Sequence, residues 1–202
     1  MGKKGFLEKY HEKRDFDISS EPFGDEKHKK DSEKQIFVIQ KHDASRLHFD
    51  FRLLVDGVLK SWAVPKGPST DPDEKRLAVP TEDHPVEYAD FEGVIPEDQY
   101  GGGTVMVWDA GTYENDKKDD DGNLIPMEEQ LKNGHSTFIL NGKKLKGGYT
   151  LIRTSKGDDE KWFLKKVKDE EADARRNPVN TENKSVLTGR TMKQIEKEGN
   201  KK

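Results

Sequence analysis

Cysteine is absent from this 202-residue sequence, which excludes disulfide bonds and thiolate metal ligands and is typical of cytoplasmic proteins. Long apolar runs are also missing, so no segment of the sequence could span a bilayer as a helix. Residues 1–5 lack the apolar stretch of a signal peptide. We therefore expect a cytoplasmic protein that does not associate with membranes.

Apolar residues are scarce, at 30% of the chain, whereas charged residues make up 38%. Such a composition is typical of chains that are partly disordered. The apolar residues lie mainly between Ile36 and Val167, and both ends are nearly all polar or charged. The sequence therefore predicts three parts: a charged N-terminal arm (1–34), one folded domain (35–167) and a polar, disordered C-terminal tail (168–202). By composition alone, the arm is also solvated.

Excess positive charge is absent too, because the net charge is −4. This argues against a protein that coats nucleic acid through a broad basic surface. It leaves room for a small positive pocket that holds a single phosphate. Any contact with nucleic acid is therefore expected to be local.

Short β-branched and aromatic segments separated by tight turns fill the middle of the chain. The segment from Leu47 to Val55 alternates between apolar and polar residues, and Asp56-Gly57 after it is typical of a hairpin turn. Only residues 127–133 have a helical pattern, which Gly134 would terminate. The sequence predicts a mainly β fold, a small antiparallel β-barrel with one or two short helices and flexible charged termini. We expect it to be a monomer.

The strand at Leu47–Val55 carries an unusual polar face. Alternate residues of a strand share a face, so Leu47, Phe49, Phe51 and Leu53 should pack inward. The other face then presents an imidazole, a carboxylate and a guanidinium in a row, at His48, Asp50 and Arg52. This face could simply be the solvent side of a sheet. It could also hold a metal next to a phosphate-binding arginine.

Two further histidines favour the metal interpretation. His42 precedes the strand and can turn back as a third ligand, and Glu82 with His84 forms a second polar cluster. Two imidazoles and one carboxylate suit manganese, zinc or iron better than calcium.

Several segments resemble the signature of the 3′-phosphoesterase family of bacterial and archaeal DNA ligase D. They are residues 14–16, 21–22, 37–52, 59–68, 76–79, 82–85, 88, 90–93 and 100–103. The resemblance implies a β-barrel enzyme of DNA repair by non-homologous end joining. It would act on the 3′ end of a primer strand paired to a template. It would remove a terminal ribonucleoside and then the remaining 3′-phosphate, leaving a 3′-hydroxyl that a ligase can use.

The resemblance also implies roles for individual residues. The metal, Mn²⁺ with Co²⁺ or Zn²⁺ as alternatives, would be bound by His42, His48 and Asp50. The catalytic residues would be His84, Arg52, Tyr88 and Glu82. The substrate-binding residues would be Arg14, Asp15, Glu21, Lys66 and Arg76. The charged arm would then fold over the active site, contrary to what its composition predicts. His84 could donate to the phosphate or serve as a general acid, and the nucleophile could be water or a protein group.

Two rival functions have different requirements. In a facial-triad iron oxygenase, His48, Asp50 and His84 would bind iron, and Arg52 would bind a co-substrate carboxylate. A non-catalytic module that binds strand ends would contact phosphate without needing a metal. Residues 185–192 resemble the linker that leads into a ligase domain, and we expect a separate DNA ligase as a partner.

Overall fold

Alternating apolar residues and tight turns produce nine antiparallel strands within residues 7–24 and 35–199, which the computed structural model describes. The strands are β1 (Ile36–Asp43), β2 (Leu47–Val55), β3 (Val58–Val64), β4 (Lys75–Pro80), β5 (Gly93–Ile95), β6 (Gly103–Asn115), β7 (His135–Gly142), β8 (Lys146–Ser155) and β9 (Lys161–Lys166). Their order is β1-β2-β3-β4-β9-β8-β7-β6-β5, and β1 also pairs with β6, which closes eight strands into a barrel. The predicted mainly β barrel is confirmed.

Local sequence signals account for the turn between β2 and β3 and for the helix predicted at residues 127–133. Asp56 and Gly57 both adopt positive φ angles, of 49° and 76°, as a tight hairpin turn requires. The helix at Met127–Asn133 ends at Gly134, whose φ is 80° and whose amide bonds back to the last turn. Both predictions are confirmed.

The described part of the chain contains more helices than the one or two predicted. They are α1 (Glu8–Glu12), α2 (Met127–Asn133), α3 (Pro178–Thr181) and α4 (Met192–Gly199), with a 3-10 helix at Val86–Asp90. All are short, and none of these described helices has the length and apolar character needed to cross a membrane.

Both faces of β1 and β2 are covered by apolar side chains. Phe49, Phe51 and Leu53 point into the barrel, where they join an interior cluster drawn from strands around its circumference. A second cluster on the outer face includes Val38 and Leu54 of these strands, together with side chains of the arm and of the segment after β4. The outer face of β2 is therefore not a solvent face, which corrects that alternative.

One residue of the predicted inner face lies elsewhere. Leu47 is 47% exposed, because it pairs with Asp43 next to the turn of the β1–β2 hairpin. The prediction that it packs in the core was wrong.

The described part of the N-terminal arm, residues 7–24, lies against the outer face of the barrel. Tyr10 is fully buried, and its hydroxyl donates to the carbonyl of Pro22 at 2.6 Å. Leu7 is also buried in the outer cluster. A purely solvated arm, as composition predicts, is therefore wrong for these residues. The rest of the arm, residues 1–6 and 25–34, lies outside the described residues.

The C-terminal segment, residues 168–199, is folded against the barrel rather than disordered. Val179 and Ile195 join the interior cluster, and the Val186 amide donates to the carbonyl of Val107 in β6 at 3.0 Å. The predicted disordered tail is wrong here because a few well-placed apolar side chains and backbone hydrogen bonds outweigh the low average hydropathy. Residues 200–202 lie outside the described part.

Candidate active site

A cavity of about 270 Å³ lies on the outer face of β1, β2 and β3, between the barrel, the arm and the loop before β6. The predicted site residues that line it are Arg14, His42, His48, Asp50, Arg52, Glu82, His84 and Tyr88. Strand pairing explains their convergence, since β1 and β2 set His42 opposite His48 and Gln40 opposite Asp50. Side chains from distant parts of the chain thus share one pocket.

Three side chains at the end of the β1–β2 hairpin form a compact set of metal ligands. The Nδ1 atom of His42 lies 3.4 Å from Asp50 Oδ2, and the Nε2 atom of His48 lies 3.6 Å from Asp50 Oδ1. All three ligand atoms fall within 4.8 Å of one another. This spacing allows one ion to contact all three.

Backbone carbonyls orient the two imidazoles toward that shared point. His42 Nε2 lies 2.8 Å from the carbonyl of Gly101, and His48 Nδ1 lies 2.9 Å from that of Arg46. A carbonyl accepts but cannot donate, so these nitrogens carry the protons. The unprotonated nitrogens then face Asp50, an arrangement typical of histidine metal ligands. The residues therefore fit a divalent transition metal.

Asp50 also links the ligand set to Arg52. The guanidinium Nη2 donates to Asp50 Oδ2 at 3.2 Å, and Nε donates to Gln40 Oε1 at 2.7 Å. Burial by itself would raise the pKa of Asp50, but the Arg52 charge holds it well below its ordinary value. The carboxylate is therefore ionised, as a metal ligand must be.

His84 lies between two arginines. Its Nδ1 is 3.0 Å from Arg52 Nη1 and 2.8 Å from the carbonyl of Glu82, while its Nε2 is 3.3 Å from Arg14 Nη2. Burial, together with the charges of Arg52 and Arg14, lowers the pKa of His84 well below its ordinary value. The imidazole is therefore neutral near pH 7. Its Nε2 faces Arg14, which can only donate, so its one proton is assigned to Nδ1, next to the Glu82 carbonyl.

The arm contributes a buried ionic network to the same cavity. Arg14 Nε donates to Glu21 Oε1 at 2.8 Å, and Nη1 donates to Glu82 Oε1 at 2.9 Å. The Tyr88 hydroxyl donates to the same oxygen of Glu21 at 2.9 Å. Burial, reinforced by the Glu21 charge, raises the pKa of Tyr88 well above its ordinary value, so the phenolic hydroxyl keeps its proton. Arg14 thus lies fixed beside His84.

Four predicted site residues are not among those that line this cavity. Glu21 contacts the lining residues Arg14 and Tyr88, and the other three lie apart. Asp15 is exposed, and its carboxylate accepts the amide of Asp17 in a local turn. Lys66 is exposed just beyond β3. Arg76 pairs with Glu74 and lines a different cavity. Direct contact of these three with a substrate remains a prediction.

Sequence reasoning missed four residues of the site. Gln40 is fully buried, accepts from Arg52 and donates to the carbonyls of Tyr88 and Phe91, each at 2.9 Å. Its position two residues before His42, on the same strand face, was an available signal. The other missed residues are Lys13, Ser61 and Tyr100.

The facial-triad alternative requires His84 as a ligand. Among the described residues, however, the clustered ligand atoms belong to His42, His48 and Asp50, and His84 faces the two arginines. The geometry therefore does not support that triad.

Comparison with known proteins gives a consistent assignment. The family model of the DNA ligase D 3′-phosphoesterase domain matches residues 40–153. The chain is 50% identical over 190 residues to the multifunctional non-homologous end joining protein LigD of Pseudomonas aeruginosa, covering 92% of this chain and 22% of that protein. It is 46% identical over 134 residues to the multifunctional non-homologous end joining DNA repair protein LigD of Mycobacterium tuberculosis, covering 66% of this chain and 16% of that protein.

The chain therefore spans about a fifth of the length of these two relatives. The matched residues 40–153 contain all three candidate metal ligands together with Arg52, Glu82, His84 and Tyr88. Since this match covers more than half of the chain, the protein belongs to the DNA ligase D 3′-phosphoesterase domain family.

Proposed function

We propose that this protein is a metal-dependent phosphoesterase that processes the 3′ ends of DNA strands during end-joining repair. One observation carries the proposal: the ligand set of His42, His48 and Asp50 shares a cavity with Arg14 and Arg52. A metal next to two desolvated guanidinium groups is suited to a phosphoryl group. The names of the two relatives, both end-joining proteins, support the repair context.

The two arginines would bind the phosphate from different sides. Arg52 is held by Gln40 through Nε and by Asp50 through Nη2, which fixes the plane of its guanidinium. Arg14 is held in the same way by Glu21 and Glu82. Because both groups are oriented before substrate arrives, little reorganisation is needed as charge develops on the phosphate oxygens.

The metal would be held by His42, His48 and Asp50. This donor set suits Mn²⁺, with Co²⁺ or Zn²⁺ as alternatives, better than Ca²⁺. When bound, the ion would supply Lewis-acid polarisation of a phosphate oxygen.

His84 is the residue best placed to exchange a proton with the reacting group. Its Nδ1 proton is directed at the Glu82 carbonyl, so its Nε2 is the basic atom next to Arg14. A bound phosphate would offset the two arginine charges that lower the pKa of His84. His84 could then accept a proton at Nε2 from water and deliver it to the departing oxygen.

Two successive cleavages would produce a ligatable end. In the first, water adds to phosphorus and the bond to the O5′ atom of the terminal ribonucleoside breaks, leaving a 3′-phosphate. In the second, water adds again and the bond to the O3′ atom of the strand breaks, leaving a 3′-hydroxyl and inorganic phosphate. A strand-joining reaction would be able to use this product, because a 3′-hydroxyl is the group that ligation requires.

A primer–template with one terminal ribonucleotide, labelled at the 5′ end of the primer, tests the proposal. With Mn²⁺ we expect a 3′-phosphate product followed by a 3′-hydroxyl product, and no reaction with a chelator. Asp50→Asn should abolish both cleavages and weaken Mn²⁺ binding measured by calorimetry, because the ligand charge is lost. Asp56→Asn, in the nearby turn where asparagine tolerates the positive φ, is the matched control.

Two outcomes would contradict the proposal. Full cleavage in chelator would exclude the metal role. Binding of the strand end without any cleavage, over a titration with Mn²⁺, Co²⁺ and Zn²⁺, would instead favour the non-catalytic module.

A further inference from the structure

Tyr100 presents an exposed aromatic ring at the edge of the active-site cavity. It lines the same cavity as Arg14 and Asp50, yet it is 49% exposed. It belongs to neither apolar cluster of the described residues, and its ring packs against no other aromatic ring among them. Burial in the core therefore does not account for a tyrosine at this position.

The ring is nevertheless held in place by the arm. Lys13 Nζ donates to the Tyr100 hydroxyl at 3.0 Å and lies 4.4 Å from the ring centroid, while it also contacts Glu82 Oε2 at 3.0 Å. The Arg14 guanidinium lies 5.6 Å from the same ring. The next residue, Gly101, accepts the hydrogen bond that orients His42. The ring is thus positioned relative to Arg14, the cation expected to bind phosphate, and relative to the metal ligands.

This arrangement is suited to binding a nucleobase by stacking. Stacking on an aromatic face is tolerant of base identity and is a common way for proteins to hold an unpaired base. The other tyrosine of the cavity, Tyr88, is buried, and its hydroxyl is committed to Glu21. Among the described tyrosines that line the cavity, Tyr100 is the one with an accessible ring.

We propose that Tyr100 binds the base of the terminal ribonucleoside, the group that departs in the first cleavage. This inference rests on the proposed function. Tyr100 lies where the arm and the loop before β6 bound the cavity. A terminal nucleoside has no chain beyond it and fits against this boundary, whereas the continuing duplex must extend from the open side of the cavity.

The two cleavages then depend differently on the ring. The first breaks the bond from phosphorus to the nucleoside O5′, which leaves with a proton while the water oxygen stays on phosphorus. The second breaks the bond to the strand O3′ and involves no departing nucleoside. Tyr100 should therefore act as a positioning residue for the first cleavage alone.

The experiment compares two primer–templates, one ending in a ribonucleotide and one ending in a 3′-phosphate, with manganese present. We expect Tyr100→Ala to lower the ratio of kcat/KM for nucleoside removal to kcat/KM for phosphate removal by about 10- to 100-fold, as lost stacking on one base would. Tyr100→Phe keeps the ring and should keep most of that ratio. Leu124→Ala removes a side chain of similar exposure, 55%, elsewhere on the surface and serves as the control.

A second measurement tests whether the ring and the base act together. A primer that ends in an abasic ribose should be cleaved by the wild type as slowly as the normal end is by Tyr100→Ala. In Tyr100→Ala, removal of the base should have little further effect. A mere structural role of Tyr100 would not produce this coupling between ring and base.

Each contrary result has a distinct meaning. Equal slowing of both cleavages in Tyr100→Ala, or full cleavage of the abasic end by the wild type, would overturn the assignment of Tyr100. Failure of the wild type to process either normal end would instead refute the proposed function.

Discussion

The two polar segments that flank the barrel dock on it by different means. Residues 7–24 of the arm bind through the outer apolar cluster and also place charged side chains in the active-site cavity. Residues 168–199 bind through backbone hydrogen bonds and a few apolar side chains. Both segments have compositions typical of solvated, disordered chain. Composition therefore shows neither that they are folded nor that their roles differ.

In the arm, the contacts are ion pairs withdrawn from water. The side chains of Arg14, Glu21 and Glu82 are only 5%, 0% and 3% exposed. Such desolvated pairs contribute little net stability, because desolvation offsets most of the attraction. Their presence next to His84 is better explained by a need for an oriented cation at that place.

In the C-terminal segment, backbone carbonyls accept hydrogen bonds from side chains of the barrel. The indole nitrogen of Trp108 and the ammonium group of Lys144 both donate to the carbonyl of Glu182, at 2.6 and 3.1 Å. Lys144 also donates to the carbonyl of Lys184 at 2.6 Å. No described residue of the segment lines the active-site cavity. One docked segment therefore reaches the candidate active site, whereas the other contacts the barrel elsewhere. We expect the first to matter for turnover and the second for stability.

The strongest test of this division is Arg14→Ala. We expect turnover on a 3′-phosphate end to fall by about 100- to 1000-fold, the usual cost of removing one preorganised donor to developing charge. The thermal unfolding temperature should also fall, because the variant leaves the buried carboxylates of Glu21 and Glu82 without this cation. Turnover is therefore compared at a temperature below the transition. Steady-state kinetics at saturating Mn²⁺ and a melting curve give both values.

Lys9→Ala provides the matched control, since Lys9 is an exposed cation on α1, the short helix that precedes Arg14. Its turnover should equal that of the wild type. If Arg14→Ala kept near-normal turnover, the arm would have no catalytic role and the contrast between the two segments would disappear.

Ile195→Ala should lower stability without affecting turnover. Ile195 of α4 is 2% exposed within the interior cluster, so its truncation leaves a cavity and should lower the free energy of unfolding by about 2–5 kcal/mol. Below the melting transition, turnover should be unchanged, since α4 lies away from the cavity. Denaturant unfolding measures the first quantity and the primer assay the second.

The control here is Leu187→Ala, because Leu187 lies in the same segment but is 50% exposed. Its effect should stay within about 0.5 kcal/mol, as is usual for surface substitutions. A stability loss as small for Ile195→Ala would mean that the C-terminal segment only rests on the barrel.

The sequence predicted the barrel because its signals are local. Alternation along Leu47–Val55 and the Asp56-Gly57 turn depend on neighbouring residues, and both appear in the structure with the expected bounds. The grouping of His48, Asp50 and Arg52 follows from the same period of two. His42 is brought to them by the simple β1–β2 hairpin.

Contacts between residues far apart in the sequence were harder to predict. The burial of Arg52 and Gln40 requires knowing that the arm and the segment after β4 cover the outer face, which no local pattern encodes. The docking of residues 168–199 likewise depends on partners such as Trp108, more than 70 residues away along the chain. Average hydropathy fails for such segments because a few contacts decide their order.

A smaller effect, confined to the C-terminal contact, should follow from pH. Lys144 lies 4.6 Å from the Trp108 ring centroid, and burial lowers its pKa from 10.5 to about 8, with Glu182 and Asp109 opposing and Lys41 adding to the shift. Between these two values the unfolded chain binds more protons than the folded protein. The contribution of Lys144 to the free energy of unfolding should therefore rise as the pH rises through this interval.

Lys144→Met removes this titration while keeping a long apolar side chain. The free energy of unfolding of the wild type minus that of the variant should be lowest below pH 8 and should increase by about 1–2 kcal/mol toward pH 10, after allowance for solvent screening. Lys143→Met, which alters the exposed neighbour, should follow the wild type at every pH. Denaturant curves at matched ionic strength give the comparison. Parallel wild-type and Lys144→Met curves would show that the ammonium group is hydrated in the folded protein, and that the carbonyls of the C-terminal segment do not depend on it.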